Sequence, residues 1–283
     1  MTLQRIYEQE ELSPAQRRIL DETRAALDLP FIPTLFKVLA GKFEYLRVVW
    51  DDLAQVLHSK EFSGATLALA EQVRILAIDG GWRLPDQAQM LAEQNLTGPE
   101  LALFGGITGT FARAFPQELL VARLLQRGYH GGQRGRVTEA FASSAFSELL
   151  EFHIPPEKTG GLRVWLIYTD IRRSTGAAYV PSVYRMLSPF PGYLASVWLE
   201  IKRISQLPEV RKAMAVIDSR SNALITGLPV RDHRKFTKRL THQDWLEIED
   251  TVENYVRTMP QFALTTTVWN RSFPVSTPLA IAA

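Results

Sequence analysis

The sequence predicts an all-α protein built from two homologous helical repeats in one 283-residue chain. Three observations predict it. Pro33, Leu39, Tyr45, Leu46, Val49 and Trp50 recur as Pro181, Leu187, Tyr193, Leu194, Val197 and Trp198, from 33 to 181 and onward at a constant offset of 148. In both copies the apolar residues fall at helical spacing. Strand-like alternation is nearly absent from either half. A repeat of this length fixes architecture before any motif is considered, because each unit buries its apolar face on its neighbour.

The elements follow in chain order. Ser13 is a natural helix cap and Pro14 suits the first helical position, where its missing N–H is not needed. That helix should run to about Leu27, where Asp28-Leu29-Pro30 stops it, since a residue before proline is pushed out of the α region. A second helix should start at Pro33-Thr34 and end near Ala40-Gly41. The third carries Leu46, Val49, Trp50, Leu53 and Val56 on one face, and its copy carries Leu194, Val197, Trp198, Ile201 and Ile204. Upstream, Ile19 and Arg24 recur as Ile167 and Arg172.

Downstream the offset shortens to 144, from Leu84-Pro85 to Leu228-Pro229, from Leu96-Thr97 to Leu240-Thr241, from Phe111 to Tyr255 and from Pro116-Gln117 to Pro260-Gln261. A net deletion of four residues is therefore expected in a loop between Trp198 and Leu228. Glycines and prolines between Gln126 and Gly161 mark a connector, within which Val137 to Phe152 is expected to form one helix. The chain divides as a first repeat over 1–125, a connector over 126–161 and a second repeat over 162–283. Each half should hold roughly five helices, packed face to face as an internal pseudo-dimer with a seam between them.

Bulk composition is that of an ordinary folded protein, 46% hydrophobic and 22% charged. A net charge of +2 and the absence of dense basic runs argue against nucleic acid. The cluster from Arg231 to Lys235 is interrupted by acid and reads as solvated loop. With no cysteine there is no disulfide, thiolate nucleophile or zinc–thiolate site. The opening MTLQRIYEQEELSP has no apolar core of signal-peptide length and no apolar run spans a bilayer, so a cytoplasmic location without membrane contact is expected.

Candidate chemistry is sparse. Pro181 starts a helix and leaves the N–H groups of Ser182 and Val183 free to receive an anion, or merely to be capped locally. Thr34 is the mate of Ser182, so the seam should bring two hydroxyls together, polar but without a base to activate either. Tyr255 is a candidate hydrogen-bond donor or weak acid, or a packed helix tyrosine. Asp21, Glu22 and Asp170 have arginines at helical spacing and read as surface ion pairs. His58, His130, His153, His233 and His242 have no metal-ligand spacing, and none lies in a repeat core.

YTDIRRSTGAAYVPSVYRMLSPFPGYL (Tyr168–Leu194) and LPFIPTLFKVLAGKFEYLRVVW (Leu29–Trp50) resemble the two half-cores of the group I, DehI-type, 2-haloacid dehalogenase family. ALITGLP (Ala223–Pro229), RLTHQDW (Arg239–Trp245) and the helix through Tyr255 resemble its C-terminal region. The resemblance implies an all-helical pseudo-dimer with its active site in the seam, a small organic substrate, carboxylates included, and a tendency to homodimers. It implies no metal and no organic cofactor. In that family an aspartate activates water, which displaces halide from the α-carbon with inversion, and an asparagine assists. The aspartate position falls on Val183 and the asparagine position on or beside Phe115. A tyrosine lining the family's pocket corresponds to Tyr255.

Valine accepts no proton, so 2-chloropropionate is not expected to be turned over by the family's route. The expected pocket residues are Phe31, Thr34, Phe115, Ser182, Val183 and Tyr255, with Tyr255, Ser182 and Thr34 as the candidates for catalysis. Three readings stay open. One is hydrolytic dehalogenation with water activated by another group. A second is different acid–base chemistry, as in a lyase, isomerase, hydratase or cyclase, on a more apolar substrate. The third is a non-catalytic ligand-binding or structural role.

Overall fold

The structure is a computed structural model that describes residues 5–132, 152–237 and 239–274. The helix expected over Val137–Phe152 lies outside these, apart from Phe152 itself. Among the described residues every regular element is helical. Twelve α-helices follow one another: α1 Pro14–Ala26, α2 Thr34–Leu39, α3 Phe43–Leu57, α4 Lys60–Asp79, α5 Gln87–Ala92, α6 Gly98–Tyr129, α7 Gly161–Thr175, α8 Ser182–Arg185, α9 Pro191–Ser205, α10 Pro208–Leu224, α11 His233–Phe236 and α12 His242–Asn270. None of them is long and apolar enough to cross a membrane.

Local chemistry sets the boundaries. Ser13 and Gln16 cap each other at the start of α1, the Ser13 N–H donating to Gln16 Oε1 at 2.8 Å. After α1 the chain turns through Asp28 at φ 53°, and after α7 through Gly176 at φ 71°, again 148 residues on. Both are the left-handed positions that end helices. Trp50 Nε1 donates to Glu22 and Trp198 Nε1 to Asp170, each at 2.7 Å and each across 28 residues. Glu22 and Asp170 thus fasten α3 to α1 and α9 to α7, beyond pairing with Arg18 and Lys202.

Helices α6 and α12 run through an interior proline each, Pro116 and Pro260, and make the most extensive helix contact in the fold. Around this pair the two halves interlock. Helix α2 packs on α12 and α8 on α6, while α5 packs on α9 and α11 on α3. Hydrogen bonds mark the exchange: Tyr193 Oη donates to Gln87 at 2.7 Å, and Tyr45 Oη meets His233 Nδ1 at 3.2 Å. Gln87 opens α5 and His233 opens α11.

Three expectations need correction. Among the described residues each half contributes six α-helices rather than roughly five, because α5 and α11 are short turns nucleated by the Asp86 and Asp232 caps and carry no periodic stripe. Three of the four missing residues come from a helix end rather than a loop: α10 starts 148 after α4, from 60 to 208, but ends only 145 after it, from 79 to 224, and the fourth is lost between there and Leu228. His233 is buried, not solvated loop and not outside the core, with its ring against Gly128. Desolvation pushes it down to about 4, so it stays neutral inside the fold.

A methyl group at Gly128 would lie 2.0 Å from the His233 ring. Gly128→Ala should therefore destabilise the fold by roughly 1–3 kcal/mol through overpacking, read as a lowered urea midpoint. Adding His233→Ala should recover part of that loss, because the two residues share one space. An unchanged midpoint for Gly128→Ala would contradict this packing.

Candidate functional site

The short helices α2 and α8 meet at their first residues. Thr34 Oγ1 and Ser182 Oγ lie 3.0 Å apart, both buried, across 148 residues of chain. Pro33 and Pro181 precede them as N-caps, which places each hydroxyl at a helix entry. The hydroxyl pair expected from sequence therefore forms. Three residues along each helix, on the same face, stand Lys37 and Arg185, also 148 apart. Both are buried, and both reach Glu8: Lys37 Nζ to Oε2 at 2.7 Å and Arg185 Nη2 to Oε1 at 3.3 Å.

An aromatic wall encloses the other side. Phe31 lies 4.6 Å from Phe111, Phe111 5.4 Å from Phe115, and Phe115 6.1 Å from Phe262. Phe262 faces Tyr179 at 6.4 Å, and Tyr179 stacks on Tyr255 at 4.3 Å. The two closest pairs are mates, because Phe31 and Phe111 occupy in the first half the places of Tyr179 and Tyr255 in the second. Ring contacts thus connect Phe31, Phe115 and Tyr255. Val183 follows Ser182 on α8, fully buried, on a helix that packs against α6, which carries Phe115.

Tyr255 is fully buried, and its hydroxyl lies close to Thr34 without completing a well-formed hydrogen bond among the described residues. Burial first, then the neighbouring Tyr179 and Glu118, pushes the phenol well above its usual range. It is a proton donor and never an ionised base near neutral pH. Tyr168, whose buried hydroxyl lies close to Ser188, is pushed up to about 12, chiefly by burial.

The sequence reading passed over Glu118. This acid lies on α6 three residues after Phe115, on the same helix face, and is buried with 4% exposure. Its charge is felt by both Tyr179 and Tyr255. Burial pushes its carboxyl from 4.5 up to about 8, and no cation contributes to the shift. One signal was present: Glu118 is the lone acid in the run from Phe111 to Leu125. Lys37 and Arg185 had a signal too, as charged mates at the repeat offset. Glu8 had none, because its role arises only from folding the N-terminal segment onto both halves.

A groove of about 410 Å³ leads to this region, lined by Glu8, Phe31, Ile32, Lys37, Phe152 and Ile154 among others. Of the groups described above, Glu8, Lys37 and Phe31 line this groove, while Arg185, Thr34, Ser182, Tyr255 and Glu118 are buried outside its lining. Among the described residues no cluster of three or more histidine, aspartate or glutamate side chains is arranged to hold a metal ion.

The profile of a family described as "Halocarboxylic acid dehydrogenase DehI" matches residues 30–184, which span α2 to α8. No curated protein matches the sequence. Among solved structures, a D-2-haloacid dehalogenase in complex with L-LA superposes with a TM-score of 0.85 at 17% identity, covering 96% of this chain and 97% of that one. A D-2-haloacid dehalogenase mutant with D-2-CPA gives a TM-score of 0.82 at the same identity and coverage. At that identity the superpositions show a shared fold. The family profile spans more than half of the sequence, and the chain belongs to the DehI family.

Proposed function

We propose that this protein hydrolyses a bulky, apolar 2-haloacid in a seam between its two halves, with Glu118 as the proton acceptor. One observation carries the proposal: a carboxyl buried among aromatic rings and pushed up to about 8 by that burial. Perturbed groups of this kind mark functional sites, since burying a carboxyl without a partner has a stability cost that packing does not require. The halves are read as an internal pseudo-dimer. Support comes from the paired turns at Asp28 and Gly176, the paired indole bonds and the Thr34–Ser182 contact.

The chemistry needs one base and no covalent intermediate. A water oxygen attacks C2 of the substrate from the side opposite the halogen. The C–O bond forms as the C–halogen bond breaks, and halide leaves with the bonding pair. Glu118 takes one proton from the water, and the product is the 2-hydroxyacid of inverted configuration. Ionised, a carboxylate of pKa about 8 is a stronger base than an ordinary glutamate. Tyr255 supplies a neutral hydrogen-bond donor nearby.

Substrate size follows from the walls. Phe115 and Val183 stand where the family resemblance places an amide and a carboxylate, and Phe115 is one of six rings in continuous contact. Apolar area buried there contributes about 25 cal/mol per Å². A phenyl or branched alkyl group on C3 is therefore favoured over a methyl group. The second reading, a ligand-binding protein without turnover, is favoured by Val183 alone and is separated by the kinetic test.

Two outcomes are expected. Bromide release from 2-bromo-3-phenylpropanoate should rise with pH and be half-maximal near pH 8, following ionisation of Glu118. Glu118→Gln should lower kcat/KM by about 10²- to 10⁴-fold, while 2-chloropropionate of either hand gives no halide above a heated-protein blank. A flat profile from pH 6 to 9, or an undiminished variant, removes Glu118 from the role.

Stability should show the same group. The folded state keeps a proton that the unfolded chain releases between about pH 4.5 and 8, so this carboxyl makes the fold less stable as pH rises across that window. The Tm of Glu118→Gln minus that of the native protein should therefore grow from pH 4.5 to 8 and then level off. A difference independent of pH would show that Glu118 titrates normally.

A further inference from the structure

The geometry points to Lys37 and Arg185 as a carboxylate-binding site that Glu8 of the N-terminal segment occupies until a substrate acid displaces it. The inference rests on the reading of this seam as a site for organic acids and adds where the acid group docks.

Four observations carry it. Arg185 is among the largest fully buried side chains, its guanidinium 1% exposed, and Lys37 is 11% exposed. Two cations this deep are costly without a matching anion. Glu8 is the anion they have, one carboxylate oxygen to each cation at 3.3 and 2.7 Å. Two cations against one carboxylate leave a net positive charge, with Arg185 further held by the Pro155 carbonyl at 2.8 Å.

Glu8 is also the most exposed member, at 24%, and it lines the groove together with Lys37. The segment bearing it lies over the fold, with Ile6 and Tyr7 packed against the core and the Tyr7 N–H donating to the Lys37 carbonyl at 3.4 Å, so that Glu8 itself is tied to the seam by its carboxylate. An acid entering the groove meets Glu8 and Lys37 in its lining, and Arg185 lies behind them in contact with Glu8.

Finally, unused donors surround the cations. The buried hydroxyls of Tyr168 and Tyr255 complete no well-formed hydrogen bond among the described residues, their polar neighbours being Ser188 and Thr34, and both lie within electrostatic reach of Arg185. A carboxylate seated on Arg185 has hydroxyl donors to accept from that Glu8 leaves idle. Its C2 then points along α2 and α8 past Thr34 and Ser182, which stand three residues nearer the helix starts.

The test is a calorimetric titration with propionate, which has no halogen and undergoes no reaction, and with propionamide as its uncharged counterpart. Glu8→Gln removes the internal competitor and should bind propionate at least tenfold more tightly than the native protein. Lys37→Met should bind it at least tenfold more weakly. Propionamide should not distinguish the three proteins. Added propionate should raise the Tm of Glu8→Gln more than that of the native protein, which reads the same site if the variant is less stable. Equal or weaker propionate binding by Glu8→Gln, or no binding by any of the proteins, overturns the assignment. Glu118→Gln should keep native affinity for propionate. Loss of halide release with intact propionate behaviour therefore falls on the catalytic reading, and the reverse pattern falls on this one.

Discussion

The contact between Thr34 and Ser182 fixes the centre of the molecule. Two hydroxyls 3.0 Å apart in a dry interior satisfy each other, and separating them would leave both unpaired at about 1–3 kcal/mol each. Because α2 and α8 are so short, this contact sets their register at once. Lys37 and Arg185 must then stand side by side one turn on, and their charges must be answered there. The aromatic wall and the central α6–α12 pair are held at fixed distance from that point by α2 packing on α12 and α8 on α6.

Charge is segregated across this centre. On one side the two cations share Glu8; on the other Glu118 sits among rings. A carboxylate near a guanidinium falls well below its ordinary range, whereas one in an apolar setting rises. Glu118 rises, with burial as the cause, so the cations do not reach it. Glu8 serves this separation as well, because it neutralises the positive charge nearest the seam. On the proposed reading, one small region binds an anion at one end and holds a proton-accepting acid at the other.

Much of the fold was legible because duplication writes structure into sequence. Offsets of 148 and 144 located α1 to α3 and their copies, and the mate relationship put Thr34 against Ser182 before any coordinates. What stayed hidden was non-local. Glu118 reads as an ordinary polar residue on a helix until α12 brings Tyr255 across from it and the core closes around it. His233 reads as part of a charged loop until Asp232 caps a turn that drops its ring onto Gly128. Burial of a polar group depends on what arrives from elsewhere in the chain, and periodicity carries no record of that. The apolar identity of Val183 and Phe115 was plain, but not that a carboxyl lay one turn further along α6.

The central claim is that a protonated carboxyl persists at neutral pH in this seam. Infrared difference spectroscopy, native protein minus Glu118→Gln, observes it directly through the carbonyl stretch of a protonated carboxylic acid. The band should be present at pH 7 and vanish with a midpoint near pH 8, as burial requires. A band already lost by pH 5 would show that Glu118 is an ordinary, ionised glutamate and would end the case for it as the base.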